Sequence, residues 1–186
     1  MKSLVWNCRG LGHSRSVREL AEMVRNHRPM LVGLQETKID ASRLEAVRKR
    51  LGFKHGFQVP RIGLAGGLAL WWKEEVTLTI LSYSKLHIDA MVEGEEIVRV
   101  TLIYGEPVTV KRGVTWELLR RLNSQHNLPW ILFGDFNEVC FGWEVKGGRV
   151  RGEWQMRAFR EAMTDCGLTD LGFEGSAFTF SNRRIG

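Results

Sequence analysis

The segment Trp130-Ile131-Leu132-Phe133-Gly134-Asp135-Phe136-Asn137 opens on bulky apolar residues and closes on two polar ones. Pro129 ends the connection before it, and the apolar run reads as a buried strand over Trp130–Phe136. Asp135 and Asn137 stand two apart, which in an extended chain sets both side chains on one face. Gly134 has no side chain and admits a ligand or another backbone at close range. As a turn between buried apolar residues, Gly-Asp-Phe-Asn gains nothing obvious, so the two polar groups point to chemistry.

Three other strands end in the same way. Ser3–Cys8 carries Val5-Trp6-Asn7, Met30–Gln35 runs into Leu34-Gln35-Glu36, and Glu96–Tyr104 closes on Leu102-Ile103-Tyr104. Ligands of open α/β sheets bind beyond the carboxyl ends of the strands, where such groups can converge. Taken singly, Asn7 reads best as a turn former. Tyr104 reads equally well as a half-buried aromatic with its hydroxyl at the surface. Glu36 joins a buried run that has no turn signal of its own.

Between these strands the chain alternates in period. Ser16 and Glu19 form a capping-box pattern ahead of Val17, Leu20, Ala21 and Val24, and Pro29 stops that helix. Asp40 is a plausible N-cap for a second helix with the apolar stripe Leu44, Val47 and Leu51. From Phe53 to Tyr104 the period is two, with strands expected at Gly67–Lys73, Val76–Tyr83, Leu86–Glu93 and Glu96–Tyr104, and Glu93-Gly94 as a hairpin turn. Thr115–Leu122 and Glu153–Asp165 read as helices, the latter stopped by Gly167, and Phe178–Ser181 as the start of a strand. The expected fold is α/β: a two-sheet β-sandwich flanked by helices in four layers, a single domain over residues 1–186 that is incomplete at its C-terminus.

Composition narrows the classes. The 186 residues are 44% hydrophobic and 26% charged, which is ordinary for a globular chain and excludes disorder as the default. No apolar run approaches the ~20 residues that cross a bilayer, and Met1-Lys2-Ser3-Leu4 opens no secretory block. No membrane partner is therefore expected, and an intracellular location is. Cys8, Cys140 and Cys166 are odd in number and lack metal-type spacing, so all three are expected to be small buried side chains in a reducing compartment. The net charge of +6 permits an anionic partner without demanding one.

Asn7, Gln35-Glu36-Thr37, Tyr104 and Gly134-Asp135-Phe136-Asn137 fall in the order and rough spacing of the endonuclease/exonuclease/phosphatase superfamily, which the chain resembles along its whole length. It looks most like the endonuclease domain of plant non-LTR retrotransposons. That likeness rests on Trp6-Asn7-Cys8-Arg9-Gly10-Leu11-Gly12, Gly66-Gly67-Leu68-Ala69, Lys146-Gly147-Gly148-Arg149, Asp165-Cys166-Gly167-Leu168 with Asp170-Leu171-Gly172, and Phe178-Thr179-Phe180-Ser181-Asn182.

The resemblance implies hydrolysis of phosphodiesters with Mg²⁺ (or Mn²⁺) and DNA as the partner. By position, Glu36 would hold the metal and Asp135 would orient and deprotonate the attacking water. Asn137 and Asn7 would bond the phosphate or steady the carboxylates, and Tyr104 would touch a phosphate oxygen. Arg9, Thr179 and Asn182 would bind substrate, Thr179 near the DNA-facing rim. It further implies a monomer, nuclear when functional, with a reverse transcriptase domain in cis in full-length relatives. The family closes with a late Asp and a Ser-Asp-His segment that these residues do not contain, so the chain as given is expected to be inactive or severely impaired. Glu106 stands where relatives carry an aromatic, an unhelpful charge if it points at a phosphate. The competing expectations are a non-catalytic remnant with at most weak nucleic-acid binding, and a related lipid or inositol phosphatase.

Overall fold

A computed structural model describes residues 1–63, 66–147, 151–176 and 178. They divide into two compact units, Met1–Tyr104 with Leu128–Asp135, and Gly105–Asn127 with the chain from Phe136 onward.

The first unit holds eight strands in two mixed four-stranded sheets. In chain order they are β1 (Ser3–Asn7), β2 (Leu31–Gln35), β3 (His55–Val59), β4 (Leu68–Trp72), β5 (Thr77–Ser84), β6 (His87–Glu93), β7 (Val98–Tyr104) and β8 (Trp130–Asp135). One sheet runs β1-β2-β4-β3 and the other β5-β6-β7-β8. Each has a single parallel pair, β1 with β2 and β7 with β8, and the remaining pairs are antiparallel.

Period-two alternation explains how β2 and β4 serve two cores. Val32, Leu34, Ala69 and Trp71 face Leu20 of α1 (Ser14–His27) and Leu44 and Val47 of α2 (Ala41–Arg50). Leu31, Leu68 and Leu70 face the other sheet, against Ile88, Ala90, Val100 and Leu102. A strand buried on both faces must be apolar throughout, and every residue of β2 is buried. Each large side chain so enclosed contributes about 1.5–3 kcal/mol relative to exposure. At Gly33 a β-carbon would lie 2.9 Å from Leu102 Cδ1, so the sheets close over the glycine.

The second unit carries α3 (Gly113–Asn123) and α4 (Glu153–Asp165). Their contact includes a stacked pair, Trp116 and Phe159, with centroids 4.8 Å apart, and Phe136 lies against the same phenylalanine at 5.2 Å.

Several local expectations are corrected. Helix α1 starts at Ser14 with His13 as its N-cap and no side-chain cap bond. Glu19 accepts from Arg15 Nε (3.1 Å) instead of closing a box with Ser16. By contrast, Asp40 caps α2 by accepting from the Arg43 amide at 2.9 Å. Strand β3 was not anticipated: its burial is graded rather than alternating, as suits the edge of a sheet. Cys8 and Cys166 are buried, but Cys140 is partly exposed because it stands in the loop after β8. The strand expected at Phe178–Ser181 falls on residues of which only 178 is described.

Candidate active site

The four polar strand ends of the first unit meet. Asn7, the last residue of β1, directs its amide nitrogen to two carboxylates, donating to Glu36 Oε1 at 3.0 Å and to Asp135 Oδ2 at 2.8 Å. The two acceptors therefore lie no farther apart than two hydrogen bonds laid end to end, although their residues come from different sheets. Tyr104, at the end of β7, donates its hydroxyl to the same Glu36 Oε1 at 3.0 Å. Asn7 is also a turn former, since its Oδ1 accepts from the Arg9 amide at 3.3 Å. Its two expected roles coexist, one on each side-chain atom.

Backbone geometry explains why Glu36 leaves the sheet. The last residue of β2 is buried Gln35, whose amide donates to the carbonyl of Ile103 in β7. That bond passes over Gly134, where a β-carbon would collide with both the Ile103 carbonyl and the Gln35 amide. The close approach inferred for Gly134 is thus to protein, and it ties the ends of the two sheets together. Beyond Gln35 the chain enters the left-handed region twice, at Glu36 (φ 52°) and Lys38 (φ 54°). Thr37 and Lys38 donate their amides to the carbonyls of Gly67 and Gly66 at 3.1 and 3.2 Å, and Leu11 donates to Thr37 at 2.9 Å.

Non-glycine residues in the left-handed region cost of order 1–3 kcal/mol each and persist where their surroundings over-determine them. Among the described residues they are Arg9, Arg28, Glu36, Lys38 and Asn137. Arg28 merely ends α1. Of the other four, Arg9, Glu36 and Lys38 lie within two residues of Asn7 or Glu36 in the first unit, so the strain there concentrates where the polar groups converge.

The electrostatics centre on Glu36. Burial, the largest single influence, favours its neutral form. Hydrogen bonds from Lys38, Asn7 and Tyr104, with the Lys38 charge, outweigh burial and hold the carboxyl below the usual range. Lys38 Nζ stands 2.6 Å from Glu36 Oε2. Lys38, Gln35, Gly66 and Gly67 were not anticipated as parts of this arrangement. The available signal was spacing: a lysine two residues after a strand-end carboxylate, and paired glycines opening a neighbouring strand.

The remaining expected residues have these surroundings. Arg9 is exposed, two residues beyond Asn7. Asn137 belongs to the second unit, where its amide donates to the Gly105 carbonyl at 2.7 Å. Glu106 is buried there and accepts from the Val108 amide at 3.2 Å, turned into its own loop. Thr179 and Asn182 lie outside the described residues.

A metal fits the donor set. Mg²⁺ takes one or two carboxylates and completes its octahedron with waters and substrate phosphate oxygens. Glu36 and Asp135, joined through one amide group, supply that number. No cluster of three or more His, Cys, Asp or Glu side chains suited to a metal occurs among the described residues.

Comparison with known proteins agrees with the architecture. Of the solved structures it resembles, an AP endonuclease from Archaeoglobus fulgidus superposes with a TM-score of 0.67 at 18% identity, over 88% of this chain and 70% of that one. The 3′ phosphatase NExo from Neisseria, bound to a product DNA hairpin, gives 0.64 at 17%, over 89% and 71%. The endonuclease domain of TRAS1, a telomere-specific non-LTR retrotransposon, gives 0.64 at 16%, over 87% and 71%. No curated protein matches in sequence. These identities establish the fold, two mixed sheets with helices. The model of the Endonuclease/Exonuclease/phosphatase family matches residues 4–185, and the chain belongs to that family.

Proposed function

We propose that this chain is a nuclease domain that hydrolyses DNA phosphodiesters with Mg²⁺ or Mn²⁺, of the kind carried by non-LTR retrotransposons. The observation that supports it best is the single Asn7 amide bonded to both Glu36 and Asp135. Two carboxylates drawn together across two sheets make a poor structural joint, because like charges repel, but a good cation seat. The retrotransposon assignment is favoured by the motifs along the chain and by the fold shared with the TRAS1 domain.

On this reading Glu36 holds the metal, kept ionised at neutral pH by its three donors. The bound cation would neutralise charge on the phosphodiester, which otherwise repels a nucleophile. Asp135 orients the attacking water and accepts its proton, a role worth about 10²–10⁴-fold in rate. Asn7 fixes the spacing of the two carboxylates. Tyr104, bonded to the same Glu36 oxygen as Asn7, places its hydroxyl for a phosphate oxygen. Lys38 supplies a positive charge beside Glu36 that falls to the substrate phosphate once the carboxylate is taken up.

Nicking of supercoiled plasmid in Mg²⁺ tests the reading, with Asp135→Asn and Glu36→Gln as controls. Nicking is to be compared between residues 1–186 and the same residues extended in frame through a late Asp and a Ser-Asp-His segment, with the stronger nicking expected of the extended chain. Nicking unaffected by either substitution would overturn the assignment. Turnover of an inositol polyphosphate in preference to DNA would favour the phosphatase alternative.

A further inference from the structure

The loop that follows β8 exposes aromatic surface that the proposed hydrolysis does not use. Phe141 and Trp143 flank Gly142 in a single helical turn, Gly142–Glu144, with ring centroids 6.0 Å apart and planes only 9° from parallel. They are 47% and 67% exposed. Large aromatics left open to water without a partner are costly, since each withholds a sizeable apolar area from burial.

The loop is nevertheless held in shape. The Cys140 amide donates to Glu144 Oε2 at 3.0 Å, which closes the turn. Arg160 on α4 donates to the Cys140 carbonyl and sets its guanidinium 5.4 Å from the Phe141 centroid. Phe141 is thus flanked by two planar groups, and Trp143 carries most of the open ring area.

The charged side chains around the rings are mostly engaged. Glu144 is committed to the Cys140 amide, Glu153 pairs with Arg160, and Glu138 pairs with Arg112 and Arg151. Lys146, exposed three residues after Trp143, has no hydrogen-bond or ion-pair partner among the described residues. A parallel aromatic pair beside an uncommitted cation, with Glu138 and Glu153 ion-paired and Glu144 turned to the Cys140 amide, is complementary to a flat ring attached to an anionic backbone. A lipid surface asks for a broader apolar face, and a duplex presents its bases already stacked.

The geometry points to Trp143, backed by Phe141, as a stacking platform for an unpaired nucleobase of single-stranded DNA, with Lys146 on the adjoining phosphate. This deepens the nuclease reading and rests on it for the identity of the polymer, but the binding it describes needs neither the metal nor hydrolysis.

The test is fluorescence anisotropy, in chelator, of a labelled oligothymidylate and of an oligomer of equal length and charge built of abasic sugar-phosphate units. The base-bearing strand should bind about tenfold more tightly. Trp143→Ala should erase that preference while leaving abasic affinity unchanged, and Trp143→Phe should retain most of it. Equal affinity for the two oligomers, or a preference that survives Trp143→Ala, would overturn the proposal. So would concentration-dependent self-association lost in Trp143→Ala, because the rings would then cover a second copy. A base preference without plasmid nicking by the chain extended in frame through a late Asp and a Ser-Asp-His segment would leave the platform standing and remove the nuclease reading; nicking without a base preference would do the reverse.

Discussion

Two clusters of polar side chains in the first unit are built on opposite plans. On the second sheet, Asp89 and Arg99 are wholly buried, with Arg99 Nε at 3.0 and 3.1 Å from the two carboxylate oxygens and its terminal nitrogen at 2.8 Å. Thr101 donates to the same carboxylate and accepts from the Trp130 indole at 2.7 Å, and the guanidinium lies 4.8 Å from the Trp130 ring centre. At the strand ends, the Glu36 side chain keeps 15% of its surface, and two of its three donors, Asn7 and Tyr104, are neutral. A charge matched by an opposite charge and shut away from water serves the fold. A carboxylate at a partly exposed strand end, steadied by two neutral donors and one lysine that can turn to a substrate phosphate, keeps its charge for a ligand.

The comparison breaks most visibly at Asp89. Asp89→Ala leaves Arg99 buried without its counter-ion and should cost about 3–5 kcal/mol in chemical denaturation. A loss below about 1 kcal/mol would show that water reaches the pair, and the contrast would fail. At the strand ends, Glu36→Gln should cost clearly less than Asp89→Ala, about 1–2 kcal/mol, because the amide oxygen still accepts from Asn7 and Tyr104 and only the partly exposed pair with Lys38 is lost. A cost matching that of Asp89→Ala would mark Glu36 as a structural anchor.

Acidification sharpens the same point. The folded-state pKa of Glu36 lies below its ordinary value of 4.5, so its stabilising contribution is full above that value and drains away as pH falls through the lower one. The stability difference between the parent chain and Glu36→Gln should therefore be flat near neutrality and change only below the usual carboxylate range. A change that sets in above that range would mean that burial, not the three donors, governs Glu36.

The smallest effect concerns Cys8, which lies behind the site and donates its thiol to the Gln35 carbonyl at 3.1 Å. Burial pushes its pKa up to about 11, so thiolate is scarce at mildly alkaline pH. Alkylation followed by mass spectrometry should label the partly exposed Cys140 first and reach Cys8 only on unfolding. Early labelling of Cys8 would show that the strand-end segment opens readily.

How much of this was legible beforehand depended on range. Strand β2 announced itself because burial on both faces demands an unbroken apolar run, and α2 because Asp40 sits one residue before it. Strand β3 did not, since an edge strand with a half-exposed face carries little alternation. Asn7, Glu36, Tyr104 and Asp135 were noticed as polar ends of apolar strands, but Asn7 and Asp135 are separated by 128 positions, and no local pattern encodes that meeting. The order of motifs along the chain, matched to a family, supplied it. Lys38 carries little local signal because its approach to Glu36 depends on two left-handed residues whose backbone is fixed by bonds to Gly66 and Gly67. Asp89 and Arg99 gave no signal beyond their strand, for their pairing is set by the β6–β7 register, with Asp89 opposite Thr101.

The central claim is that Glu36 and Asp135 share one cation. Titration of Mn²⁺ into the chain, followed by electron paramagnetic resonance, tests it without requiring turnover. One bound ion is predicted, weakened at least about tenfold by Glu36→Gln and clearly weakened by Asp135→Asn. Mn²⁺ binding that neither substitution alters would contradict the account.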